Sequence, residues 1–201
     1  MRRQNKAQNA ALREYLTCPI PGVTPEMVRW WFWRHARQSL RCKIWFPGEH
    51  CGIAAARRDR AYFTAETLPA FQPNVHYPIE RIGRLILPLK IAFVSPEAFG
   101  FSPSLLREND IPLIVCGHVG AVYGLVSHTE MAHIFRRTEE GLFLISRFWL
   151  GQTLQNPFLR RTILTDGTAR GMAAHCCVEY RNLARILPEL YRTRGGNGAG
   201  A

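Results

Sequence analysis

Two periodicities organise the apolar positions of this chain. Spacings of three and four near its ends predict helices, and alternation between them predicts strands. Residues 1–17 are polar and basic, with a weak apolar pattern at Ala11, Leu12, Tyr15 and Leu16 that predicts a frayed helical arm. Pro19, Pro21 and Gly22 break it. Thr24-Pro25-Glu26 then supplies an N-cap, a proline at the first helical position and an acid in the first turn. The helix predicted there, residues 25–38, carries Met27, Trp30, Trp31, Phe32 and Trp33, which implies that other elements grip it or that it walls an apolar pocket.

Residues 41–46 alternate like a half-buried strand and end at the turn Pro47-Gly48-Glu49-His50. Residues 54–71 read as an irregular, partly basic loop, with Pro69 and Pro73 marking its end. Beyond them the reading is mostly β: a short strand at 79–82 and an apolar run at 85–94 broken by Pro88. A loop or short helix follows at 95–101, then a strand pair around Gly117 and Gly120 within 112–123. Residues 130–136 and 142–150 flank Thr138-Glu139-Glu140-Gly141, the clearest hairpin. Residues 152–166 connect that hairpin to a final helix, and the tail from Arg194 is glycine-rich. A helix, a run of antiparallel strands and a long last helix predict an α+β domain, its sheet curved around that helix. The expected divisions are an N-terminal arm at 1–23, one domain at 24–191 and a flexible tail at 192–201.

The last helix, residues 171–187, shows a core-facing stripe at Met172, His175, Glu179, Leu183 and Ile186. His175 and Glu179 are four apart and share one face. Burying an imidazole with a carboxylate is costly unless something pairs with them. A metal would do so, because both are ordinary zinc ligands; a satisfied His–Glu pair in the core is the structural alternative.

Composition narrows the setting. With 47% hydrophobic and 20% charged residues among 201, the chain can bury a core and does not read as disordered. Six cysteines without a CxxC pattern argue for a reducing compartment rather than a disulfide framework. No apolar run reaches spanning length and no signal-like segment follows the basic N-terminus, so a soluble, cytoplasmic protein without membrane association is expected. The net charge of +11 favours acidic partners, but its arginines are scattered and accompany no nucleic-acid motif. Nucleic-acid binding is the weakest of the readings.

Candidates to complete a metal site are His35, His50, His76, His118, His128, His133, Glu49, Glu80 and the cysteines. Cys176 points about 100° away from His175 around the helix and should not share its metal. Spacing alone does not choose among the rest. Several segments, however, resemble the diacetylphloroglucinol hydrolase and phloretin hydrolase family. They are Thr24-Pro-Glu-Met-Val-Arg-Trp-Trp-Phe-Trp-Arg-His35, Arg41-Cys-Lys-Ile-Trp45 with Pro47-Gly-Glu-His50, Val94-Ser-Pro-Glu-Ala-Phe-Gly-Phe101, Leu144-Ile-Ser-Arg-Phe-Trp-Leu-Gly151, and Ala174-His-Cys-Cys-Val-Glu-Tyr-Arg-Asn-Leu183 followed by Leu187-Pro-Glu-Leu-Tyr191.

The resemblance implies a START-like, helix-grip fold, a zinc ion held by two histidines and two glutamates, and hydrolysis of the C–C bond joining an acyl group to a polyhydroxylated aromatic ring. Carried over by motif, the ligands are His50, Glu80, His175 and Glu179. The expected partner is a small aromatic ketone. His133, on one strand face with Met131 and Phe135, is the candidate catalytic proton donor or acceptor. Cys42 stands where the family usually has a substrate-contacting tyrosine, and a thiol is the smaller and weaker hydrogen-bond donor. The N-terminus is shorter than in members with a helical dimerisation region, which leaves the family's homodimer an open expectation. The other functional reading is a non-catalytic START-like carrier of an apolar aromatic ligand.

Overall fold

The computed structural model describes residues 12–82, 85–151 and 165–194, together with 156 and 158. Alternation of buried and exposed side chains builds the sheet. In β6 (Val126–Thr138) and β7 (Gly141–Leu150), Met131, Phe135, Leu142, Leu144, Phe148 and Leu150 point inward, while Ala132, Ile134, Ile145 and Trp149 serve a smaller outer cluster. The expected hairpin joins these two strands, paired from Thr138↔Gly141 to Thr129↔Leu150. With β1 (Leu12–Pro21), β2 (His50–Ala55), β3 (Asn74–Ile82), β4 (Leu85–Val94) and β5 (Leu113–Ala121) they form one antiparallel sheet in the order β1-β7-β6-β5-β4-β3-β2.

The sheet curves around a long C-terminal helix, the α+β helix-grip arrangement expected. The other helices are α1 (Pro25–Arg34), α2 (Ser39–Trp45), α3 (Arg60–Thr64) and α4 (Pro103–Glu108), and the gripped helix is α5 (Asp166–Arg192). Thr165 caps α5 by accepting from the Thr168 amide at 3.1 Å, so the helix starts before residue 171 and runs past Pro188.

Four local expectations are corrected. The predicted helical arm is, from Leu12 onward, edge strand β1. Leu16, Cys18 and Ile20 are buried while Tyr15, Thr17 and Pro19 are exposed, a two-residue period that the weak helical spacing obscured. Pro19 and Pro21 are tolerated because an edge strand need not donate on both sides. Residues 41–46 are not a strand: Cys42 and Trp45 are buried one turn apart in α2. Residues 112–123 hold one strand rather than two. Gly117 lies inside it because a Cβ there would stand 3.1 Å from Met131 and 3.3 Å from the Ala92 carbonyl. The irregular segment 54–71 contains the end of β2 and helix α3. The connector at 152–166 and the tail from residue 195 fall almost wholly outside the described residues.

The core-facing stripe of α5 also shifts. Its most buried residues are Ala169, Cys176, Tyr180, Leu183 and Leu187, and His175 and Glu179 sit one position around the helix, partly buried. The aromatic helix is gripped as expected, with Trp30, Trp31 and Trp33 buried. Among the described residues no helix is long and apolar enough to cross a membrane.

Three histidines are enclosed with these rings. His35 is 2%, His76 1% and His133 5% exposed. Burial holds His76 well below 6.5, and holds His35 and His133 down at about 4. Between about 6.5 and about 4 the unfolded chain therefore binds more protons than the folded one. The stability these groups contribute is present above 6.5 and lost as pH falls through that window. Glu80, whose carboxyl is pushed up by burial, opposes the loss by at most one proton. We expect the melting temperature to drop by roughly 10 °C or more between pH 7 and pH 4.5; a flat profile across that range contradicts it.

Candidate metal centre

Three elements converge at the end of β3 remote from Asn74. After α2, Phe46 accepts backbone hydrogen bonds from Glu49 (3.2 Å) and His50 (2.9 Å), and Gly48 takes φ +87°, a region that favours glycine. This turn delivers His50 to the first position of β2, opposite Glu80 on β3. The register slips between His50 and Gly52, a bulge that re-aims the strand end. On α5, His175 and Glu179 face the same point, and the Trp45 indole donates to the Glu179 carbonyl at 2.8 Å, tying α2 to α5 there.

The donor atoms crowd together. His50 Nε2 lies 3.3 Å from His175 Nε2 and 3.4 Å from Glu179 Oε2. His175 Nε2 is 4.0 Å from Glu179 Oε2, and Glu80 comes within 4.0 Å of His50 and 3.8 Å of His175. Two neighbouring ligands on a tetrahedral zinc at about 2.0–2.1 Å would stand about 3.3 Å apart, so the closest pairs have that spacing. His50, His175 and Glu179 are all mutually close enough to share an ion, and Glu80 approaches through the two imidazoles. Cys176 does not join them: its thiol donates to Ser146 Oγ at 3.5 Å, on the side of α5 facing β7.

Second contacts orient the set. His50 Nδ1 lies 3.1 Å from the Cys42 carbonyl, so the ring donates there and turns its Nε2 edge toward His175. Burial pushes the His50 imidazole down, but hydrogen bonding with Cys42 and the charges of Glu179 and Glu80 outweigh it and hold it up at about 11. Burial and the neighbouring Glu179 charge push the Glu80 carboxyl up, against the two histidines. Glu80 is not spent on Arg81, whose guanidinium donates to the Gly48 carbonyl at 3.4 Å. Arg84 lies outside the described residues.

The donor set, two imidazoles and two carboxylates, suits zinc in type and balances a divalent charge. The four side chains are between 1% and 18% exposed, sheltered yet reachable. Other candidates lie elsewhere. His35 Nδ1–H donates to the Trp31 carbonyl and its ring packs on Trp45, His76 is core, and His118 pairs with Glu130 at 3.5 Å. The side chain of His128 is outside the described residues. The Cys42 thiol is buried and donates to the Gly52 carbonyl at 3.7 Å. His133 is inward-facing, with Nδ1 2.8 Å from Ser146 Oγ and its ring packed against Tyr180 and Phe148.

Sequence reasoning missed Ser146, although a lone hydroxyl among inward Leu142, Leu144, Phe148 and Leu150 is a readable signal. A cavity of about 530 Å³ lies against Asn74, Phe93 and Val115, and none of the four donors lines it.

The architecture is shared with TTHA0849 of Thermus thermophilus, whose crystal structure superposes with a TM-score of 0.50 at 11% identity, over 88% of this chain and 95% of that one. Residues 15–192 match the domain family described as DAPG hydrolase PhiG domain, and the chain belongs to that family. It is 30% identical to 2,4-diacetylphloroglucinol hydrolase of Pseudomonas protegens over 88% of its length and 62% of that protein. It is 31% identical to phloretin hydrolase of Eubacterium ramulus over 87% of its length and 65% of that protein. The chain thus spans just under two thirds of these relatives.

The geometry predicts about one zinc ion per purified chain, measurable by elemental analysis. The His175→Ala, Glu179→Ala double variant should lose it. Full occupancy in that variant would sink the assignment.

Proposed function

We propose that the protein is a zinc-dependent hydrolase that cleaves the C–C bond between an acyl group and a polyhydroxylated aromatic ring. The observation that carries this reading is the convergence of His50, Glu80, His175 and Glu179 from three elements onto one point. Family membership and the activities for which the relatives are named support the reaction class. His50, Glu80, His175 and Glu179 would hold the zinc ion, which would supply Lewis acidity and lower the pKa of a water at the site toward about 7.

The chain's own groups then handle orientation and protons. Release of the aromatic ring requires a proton at the ring carbon that bore the acyl group. His133 is the residue we assign to that transfer. It lies near enough to Glu179 to feel its charge, and burial keeps it at about 4, so it is neutral at pH 7. Ser146 Oγ accepts from the Cys176 thiol and, on its second lone pair, from His133 Nδ1–H. Nε2 of the neutral imidazole is then free to take up a proton released during hydrolysis and pass it to the aromatic carbon of the substrate. Tyr180 and Phe148, with rings 5.2 and 5.9 Å away, fix the imidazole plane.

The substrate preference is proposed only as an acylphloroglucinol or phloretin-like aryl ketone. Cys42 in place of a tyrosine removes a hydroxyl contact, and its buried thiol is occupied by Gly52. Purified, zinc-replete protein should release carboxylic acid from phloretin or from an acetylated phloroglucinol. His133→Gln should lower kcat by about a hundredfold or more while zinc content is unchanged. Binding of these compounds without any cleavage would instead identify a carrier.

A further inference from the structure

Helix α2 ends on two aromatic residues, and between them they touch three of the four metal donors. Trp45 closes the helix and is 7% exposed; Phe46 leaves the helical conformation at φ −140°, ψ 85° and is half-buried. The Trp45 indole N–H donates to the Glu179 carbonyl at 2.8 Å, across 134 residues of chain. Inside α5 that carbonyl already serves the amide four residues on, and the indole takes its second lone pair. The bond is therefore not needed to satisfy α5. What it fixes is where residue 179 stands relative to α2. A slip of one residue along a helix is about 1.5 Å of rise and about 100° of rotation, enough to carry a ligand out of a metal's reach. The same indole ring stands edge-on to His50 at 5.4 Å and to Tyr180 at 5.8 Å. One side chain thus bears on the backbone of one donor residue and on the ring of another.

Phe46 serves the histidine on α5. Its carbonyl accepts from the His50 amide at 2.9 Å, and its ring lies 4.7 Å from the His175 ring and 5.7 Å from the His50 ring. A metal-bound imidazole ordinarily donates its second N–H to a carboxylate, a carbonyl or water, which fixes its orientation. His50 has such a partner in the Cys42 carbonyl. Among the described residues no protein group hydrogen-bonds His175 Nδ1; the Nε2 atom faces the other donors, and Phe46 is the nearest ring.

We infer that the pair Trp45-Phe46 is the positioning element of the metal centre. Trp45 sets Glu179 and His50, and the Phe46 ring holds the His175 imidazole in the orientation that points Nε2 at the other donors. The inference rests on the proposed binding of zinc by His50, Glu80, His175 and Glu179. It separates two kinds of tryptophan in one core. Trp33, 3% exposed, makes a matching buried bond from Nε1 to the Tyr62 carbonyl at 2.7 Å, but Tyr62 is not one of the donors.

Two readouts test it: zinc affinity, by competition with a chromophoric chelator, and the visible absorption of the cobalt(II)-substituted chain. Trp45→Phe keeps an aromatic ring and removes the N–H; it should weaken zinc binding about tenfold and shift the cobalt bands. Phe46→Leu, at a half-buried position, should weaken zinc binding at least about threefold. Trp33→Phe deletes the matching hydrogen bond elsewhere, so it should lower the melting temperature comparably and leave zinc affinity within about twofold of wild type. Equal zinc affinity in wild type, Trp45→Phe and Phe46→Leu overturns the inference while the metal centre stands. So does equal weakening in Trp45→Phe and Trp33→Phe, the mark of a general loss of stability. A wild-type chain that binds no zinc overturns the metal centre itself, and this inference with it. Should Trp45→Phe not fold, Phe46→Leu decides.

Discussion

Two imidazole nitrogens 3.3 Å apart, with two carboxylates within 4.0 Å, are the constraint on which much of this structure depends. The proton that His50 carries on Nε2 reaches only part of this cluster, and Glu80 and Glu179 repel each other. A divalent cation between them would satisfy all four groups at once, where protons satisfy them in part. Nearby details follow from holding this arrangement. The bulge after His50 turns its ring inward, the Cys42 carbonyl takes the other ring nitrogen, and the Trp45 indole fastens α2 to the backbone of Glu179. Residue 45 is therefore a brace and not merely packing. Its ring lies between His35, His50 and Tyr180, coupling the site to the core of the grip.

Polar side chains recur along the same sheet away from the metal donors. Along β3, Asn74, His76 and Glu80 share one face, as a two-residue period requires. A polar residue thus recurs along a wall that is otherwise aromatic. Glu80 belongs to the metal donors, and Asn74 borders the large cavity. His76 is sealed between them by Phe63 and Phe93, its Nε2 without a hydrogen-bond partner among the described residues. The rings of Phe63 and Phe93 thus stand between Asn74 and the metal donors.

The parts of the fold legible in the sequence were those set by uninterrupted periodicity. The β6–β7 hairpin and the gripped helix are long and regular, and their patterns identify them. Short elements were misread where two periods fit equally well. Cys42, Ile44 and Phe46 alternate as in a strand, while Cys42 and Trp45 are spaced as on one face of a helix. Leu16, Cys18 and Ile20 define an edge strand only once the prolines beside them are recognised as compatible with an edge. In the site, His175 and Glu179 were legible because four residues of a helix are one turn. His50 and Glu80 are thirty residues apart in the chain, and no spacing rule joins them. Only the register of β2 on β3 places them side by side, and a resemblance to a known motif had to stand in for that register.

That difference explains the position of the helical pair, which the apolar stripe put one residue too deep. A metal ligand needs burial enough to exclude competing water and exposure enough for a substrate to arrive. At the centre of the stripe, where Tyr180 and Leu187 are almost fully enclosed, the second condition fails. One step around the helix, His175 and Glu179 retain 18% and 12% of their side-chain exposure and still face β2 and β3. The buried line of α5 anchors the helix in the grip, and the adjacent line holds the donors. Because the two lines are on one rigid helix, packing along Cys176, Tyr180 and Leu183 sets the distance from His175 to His50. A cavity opened in that packing would loosen the ligand geometry without touching a ligand.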